Sequence, residues 1–260
     1  MVARERMSHS KLWEIENCGE SFRRKYLEND RTPGTLAMFQ GSAIDALANS
    51  IHTNQLDAKA ELGPTPEALI GTLPTASEAA EFAVAAFEAR IQEEGVTVTK
   101  EDADDAGSEA AAVGHTKDHV AVLGAGYNRL VAPKVNPLAV QRKIEASPSA
   151  LSFDVVGVLD LVEEVEDAET GATVERVIDL KVPKRRPRKD AAKKSSQLVL
   201  YSLLRAAETG RMPHSAALRH VVTTSRFVEI DTQEVKPTVA DLRAMLERME
   251  AGVQAIRAGV

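Results

Sequence analysis

Asp160, Asp179 and Lys181 are the residues of this chain best placed to do chemistry together. Asp160 stands in VVGVLDLVEE, and Asp179 and Lys181 stand two apart in VIDLKV. Both segments are rich in β-branched residues and read as strands. Strand residues two apart project from one face, so Asp179 and Lys181 point the same way with Leu180 behind them. If the strands pair as a hairpin, Asp160 faces the same cleft. Two carboxylates held together repel unless a cation lies between them, and hard oxygen ligands favour magnesium or manganese. A lysine beside such an ion can bind an anion, orient a water or stabilise developing negative charge. Taken alone, Asp-x-Lys also fits an exposed strand carrying a surface ion pair.

The elements around these residues follow from periodicity. Ser8 caps a helix over Ser8–Leu27 whose stripe is Leu12, Ile15, Phe22 and Tyr26, with Cys18 beside it. Thr32-Pro33-Gly34 breaks the pattern, and a second helix over Thr35–His52 carries Leu36, Phe39, Ala43, Leu47 and Ile51 on one face. Residues 53–132 are rich in alanine and acids and read as helical, with helices over Ser77–Glu93 and Gly107–Leu130. Between these two, EDADD is a helix start or an exposed loop. After Pro133 the texture changes to strands over Leu138–Ala146, Phe153–Glu164 and Thr173–Lys181. A helix over Ala191–Thr209 ends on Gly210, a strand covers Ala216–Thr224, and a helix over Val239–Ala258 follows. That order predicts an α/β (α+β) fold, a central mixed β-sheet flanked by helices. Residues 1–260 form one domain in this reading, with 53–132 as a helical insertion before the sheet.

Charge narrows the function. The chain carries −7 overall, yet Lys181–Lys194 holds eight basic residues against Asp190 alone, so a +7 island sits in an acidic protein. Such an island points to a local anion site or to a solvated basic loop. Aromatics make up 4% of the chain, too few for a base-stacking platform. No apolar run is long enough for a membrane span and MVARERMSHS is no signal peptide, so the expectation is a cytoplasmic protein without a membrane partner. No Gly-Lys-Ser/Thr loop is present, hence no ATP site. His115 and His119, four apart on a helix, lack a third ligand and read as solvated.

Five segments, in order, resemble the RecB-like branch of the PD-(D/E)XK nuclease superfamily, which includes the CRISPR-adaptation exonucleases. SHSKLWEIENCGESFRRKYL is similar to that branch's opening helix, and GSAID resembles its Gly-x-x-x-His motif. GVLD looks like the Gly-x-x-Asp motif, IDLK like (Asp/Glu)-x-Lys, and QLVLY like the Gln-x-x-x-Tyr helix motif. The resemblance implies a restriction-endonuclease-like core and a metal-dependent DNA nuclease, an exonuclease sooner than an endonuclease. DNA repair, recombination and phage or CRISPR DNA processing are the settings it implies. Asp160, Asp179 and the Leu180 carbonyl would hold Mg²⁺ or Mn²⁺, and Lys181 would position or activate water. Gln197 and Tyr201, one helical turn apart, would hold the DNA phosphate or brace the lysine.

Two departures bear on this implication. Asp45 stands where the family often has histidine; it could bind the metal, or mark a site that has lost activity. The second reading is therefore a catalytically inactive nuclease-like scaffold that binds DNA or a protein partner. Iron–sulfur members use four cysteines, whereas Cys18 is alone here, so no cluster is expected and Cys18 is expected in the core. Lys184, Arg185, Arg186, Arg188, Lys189 and Lys193 leave the active-site strand and are expected on DNA, extended by Arg23, Arg24 and Lys25. Glu145 is a lesser metal candidate. Homo-oligomers and a recombination or repair partner protein stay open.

Overall fold

The β-branched segments form a six-stranded mixed sheet in the computed structural model, which describes residues 4–30, 32–224 and 227–259. The strands are β1 (Glu5–Met7), β2 (Asn136–Ala146), β3 (Phe153–Glu166), β4 (Thr173–Lys181), β5 (Ser215–Thr223) and β6 (Val228–Val235). β3 and β4 form the expected hairpin, β4 and β5 run parallel, and β5–β6 is antiparallel. Along β5, every residue from Ser215 to Val222 is buried, as a strand covered on both faces requires.

Two apolar clusters occupy the two faces. On one, apart from the short α4 (Pro66–Gly71), α3 (Leu36–Leu62), α5 (Ala76–Glu94) and α7 (Glu109–Leu130) bring Phe39, Leu47, Phe87 and Leu123 against Leu161, Ile178 and Val221. On the other, α1 (His9–Asn17), α8 (Ser196–Thr209) and α9 (Val239–Ala258) bring Leu12, Leu198, Leu204 and Met249 against Val155, Val162 and Val177. Each long helix starts on a side-chain cap, and Thr75 and Thr238 form capping boxes with Glu78 and Asp241. No described helix is long and apolar enough to cross a membrane.

The structure departs from the sequence reading in four places. The first helix breaks at Cys18, whose extended backbone (φ −160°) ends α1 and starts α2 (Gly19–Phe22), followed by a π-helical turn over Arg23–Leu27. Cys18 is therefore exposed at a helix junction and not in the core, with its Sγ accepting from Ser21 N–H. β1 is too short to show a period, and β6, with its alternating Val228, Ile230 and Thr232, lies outside the strands predicted from the sequence. EDADD, by contrast, agrees with the helix-start reading: it opens α6 (Lys100–Ala106), capped by Thr99.

The fourth departure is that α3 runs ten residues beyond His52. Its polar residues there are buried by bonding one another: His52 Nδ1 lies 2.7 Å from Gln55 Oε1, and its Nε2 2.6 Å from the Tyr127 hydroxyl. Burial pushes the His52 imidazole down to about 4. The unfolded chain binds a proton near pH 6.5 that the folded chain refuses, so His52 stabilises the fold above that pH and loses this contribution as pH falls toward 4. Between pH 7.5 and 5 the loss should be about 2 kcal/mol. Asp45 and Asp160 pull the opposite way, so the difference between wild type and His52→Gln in urea melts across this range isolates the effect. Parallel pH profiles for the two proteins would contradict it.

One feature of the sheet positions the site. Met7 and Ala146 both pair with Val155, so β1 and β2 flank β3 on opposite edges. β1 and β4 thus share one edge of β3, β1 over Phe153–Val155 and β4 from Leu161 onward. Between them β3 and β4 fork, and the last rung of their ladder is Leu161 with Ile178. Asp160 and Asp179 are the next residues on each strand.

Candidate active site

At the fork, β4 keeps its pairing to β5 on one edge and loses β3 on the other. The Leu180 N–H, released from the ladder, donates to Asp160 Oδ2 at 3.0 Å. In a strand, a residue's N–H and C=O open to the same edge, so the Leu180 carbonyl belongs to this fork as well. Lys181 Nζ donates to Asp179 Oδ1 (3.0 Å) and to Gln197 Oε1 (3.1 Å). Gln197 Nε2 in turn donates to the Tyr201 hydroxyl at 2.8 Å. Asp179, Lys181, Gln197 and Tyr201 therefore form one chain of contacts from β4 to α8.

Gly157, first residue of the GVLD segment, explains why α8 can lie so close. A Cβ at this position would sit 2.6 Å from Leu204 Cδ1 and 3.9 Å from Tyr201 Cε1. Leu204 is fully buried, so its methyl has little room to retreat. Gly157→Val should cost about 1–3 kcal/mol through overpacking and push Gln197 and Tyr201 off the fork. Thermal melts test this, with Gly157→Ala expected to lie between wild type and Val. The glycine of GSAID is different: the space around Gly41 is open.

The electrostatics are those of crowded carboxylates withdrawn from water. Burial raises the pKa of both Asp160 and Asp179; the Asp179 charge adds to the rise for Asp160, while Lys181 offsets it for Asp179. Asp45, on α3, is pushed up to about 6, first by burial and then by the Asp160 charge. Asp179 is fully buried, and its Oδ2 has no aligned hydrogen-bond donor although Lys181 Nζ lies 2.9 Å away. Three acids that resist ionising and one orphaned carboxylate oxygen suit a hard divalent cation. As the side chains stand, no three His, Cys, Asp or Glu groups converge on one point among the described residues.

Other sequence candidates are dispersed. Glu145 pairs with Arg6 (2.5 Å) opposite Val156, four residues along β3 from Asp160, and so lies outside the fork. Arg23 pairs with Glu20 and Glu28, Arg24 with Asp30, and Lys25 with Glu14, so these cations are held locally. In the basic loop, Lys184 pairs with Asp102 and Arg186 with Glu229. Arg185, Arg188, Lys189 and Lys193 are exposed with no ion pair among the described residues. Gln233 of β6 fastens the loop, donating to the Arg188 carbonyl and accepting from Ala191 N–H.

The sequence reading missed several neighbours of the fork. His9 Nε2 lies 2.9 Å from the hydroxyl of Ser196, beside Gln197, and burial together with the Lys181 charge lowers its pKa. Asn49 and Gln141 reach Asp45 from α3 and β2. A small cavity lined by Asp45, His52, Tyr127, Asp160 and Arg219 lies beneath them. Only Asn49 had a sequence signal, its four-residue spacing from Asp45.

A carboxylate pair at a strand fork, with a lysine two residues on, is the geometry against which known families can be compared. The family model described as PD-(D/E)XK nuclease superfamily matches residues 6–260. The chain belongs to this superfamily. Its mixed sheet between helices is consistent with a restriction-endonuclease-like fold. No curated protein matches the chain. Solved structures similar to it include "Crystal structure of SSO0001", at 14% identity over 65% of this chain and 70% of that one, with a TM-score of 0.33. So loose a likeness carries no argument about the site.

Proposed function

We propose that this chain is a metal-dependent deoxyribonuclease that hydrolyses phosphodiester bonds, with exonuclease action in DNA repair, recombination or phage or CRISPR DNA processing. The observation that carries the reading is Asp160 beside Asp179 at the fork, with Lys181 against Asp179. Asp160, Asp179 and the Leu180 carbonyl would hold Mg²⁺ or Mn²⁺, with Asp45 alongside. Bound there, such an ion supplies Lewis-acid polarisation of a phosphodiester oxygen and acidifies water.

The remaining roles fall to side chains. Lys181 orients the attacking water and neutralises charge that develops on the phosphate. Gln197 holds the lysine in place, and Tyr201 holds Gln197. Arg185, Arg188, Lys189 and Lys193 offer cations to the DNA backbone where the loop leaves β4. We further assign residues 1–260 to one nuclease domain with 53–132 inserted. The exonuclease preference rests on the resemblance to the RecB-like branch.

A second reading, a scaffold that binds DNA without cutting it, has one observation in its favour. No three acidic, His or Cys side chains converge on one point among the described residues. Digestion of end-labelled linear DNA and closed circles, single- and double-stranded, with Mg²⁺, Mn²⁺ or EDTA separates the two. Metal-dependent loss of linear DNA with circles intact is the expected result. Cut circles would make it an endonuclease, and salt-sensitive binding without cleavage would establish the scaffold.

A further inference from the structure

Gln141 occupies the residue of β2 that faces Asp160 across the β2–β3 ladder, between the pairs Val140–Leu161 and Arg142–Leu159. Its backbone is left-handed, with φ +44°, in the middle of a strand. Glutamine rarely adopts this conformation, and it persists only where the surroundings enforce it, commonly at functional sites. The side chain reaches α3: Nε2 lies 3.4 and 3.3 Å from the two Asp45 carboxylate oxygens and 3.2 Å from Asn49 Oδ1. Asn49 Nδ2 donates to Asp45 Oδ2 at 3.3 Å, so amides from two elements face one carboxylate.

Core packing does not demand this arrangement, because Gln141 is exposed. What distinguishes an amide from a lysine or arginine here is that it orients a carboxylate and leaves its charge in place. A cation at the same spot would compete with any metal for Asp45. We propose that Gln141 is a positioning residue that fixes the Asp45 carboxylate as the third anionic group of a divalent-cation site. This rests on the metal-site reading above. The strained backbone is what turns the side chain from the strand toward α3.

Calorimetric titration of the full chain with Mn²⁺ tests the inference, using wild type, Gln141→Asn, Gln141→Gly and Asp160→Asn. Asparagine and glycine both accept a left-handed backbone, and asparagine keeps the amide but is one methylene shorter. Both Gln141 variants should bind Mn²⁺ about tenfold more weakly, in line with other residues that orient a metal ligand. Their metal-free melting temperatures should stay within about 2 °C of wild type. Cleavage lost at low Mn²⁺ should return at high Mn²⁺ with kcat unchanged. Wild-type Mn²⁺ affinity in both variants, with binding lost in Asp160→Asn, overturns the inference alone. Tighter binding also overturns it, since the amide would then compete with the metal, as does a fall in melting temperature that accounts for the loss. A wild-type chain that binds no Mn²⁺ overturns the metal-site reading and this inference with it.

Discussion

Asp160→Asn should make the metal-free protein more stable while abolishing cleavage. The carboxylate is half-hidden beside Asp179, and burial and repulsion from Asp179 both disfavour its charge. Asparagine keeps the shape, still accepts from the Leu180 N–H, and carries no charge into the cluster. The gain should be about 2 kcal/mol at pH 8, a rise of roughly 4–8 °C in melting temperature. Adding Mg²⁺ or Mn²⁺ should then raise the melting temperature of wild type and leave the variant unmoved. Cleavage should fall by about three orders of magnitude or more, as expected when a metal ligand is lost. A variant less stable than wild type would show that the Asp160 charge is not costly, and one that still cuts would show that it is not used.

The largest loss of stability should come from Glu163, on β3 three residues past Asp160. It is buried and accepts from two arginines: Arg176 Nε and Nη2 at 3.0 and 2.7 Å, and Arg219 Nη1 and Nη2 at 3.2 and 2.7 Å. Arg176 has a second partner in Glu234, whereas Arg219 is buried with Glu163 as its carboxylate. Glu163→Ala leaves Arg219 charged and unpaired in the core, which should cost about 3–5 kcal/mol. Glu163→Gln, which retains an acceptor, should cost less. Because Arg219 also lines the cavity beneath Asp45 and Asp160, the alanine variant should lose activity beyond its loss of stability. Chemical denaturation measures the first effect, and a cost below about 1 kcal/mol would mean that Arg219 finds another partner or water.

What could be read from the sequence was local. Asp179 and Lys181 share a face because strand residues alternate, and Gln197 and Tyr201 meet because helix residues four apart stack. Asp160 joins them because the turn after Glu166 forces β3 and β4 into a hairpin. What could not be read was set by contacts between distant segments. Lys184 finds Asp102 across 82 residues and Arg186 finds Glu229 across 43, so two of the six loop cations expected on DNA are tied down. Glu163 and Arg219 are 56 apart, and Gln141 passes for an ordinary strand residue until its backbone angle is known. Cys18 misled because an apolar stripe gives no sign of the break that turns it outward. His52 misled in the opposite sense, since a polar residue can continue a helix into the core when Gln55 and Tyr127 satisfy it.

The most direct test of the central claim is single-turnover cleavage of labelled linear DNA by wild type and Asp179→Ala, each with Mg²⁺, Mn²⁺ or EDTA. Circular dichroism of both proteins checks that the fold is kept. The expected result is cleavage by wild type with metal, none with EDTA, and none by the folded variant under any condition. Cleavage by Asp179→Ala at the wild-type rate, or by wild type in EDTA, would contradict a metal-dependent hydrolysis centred on the Asp160–Asp179 fork.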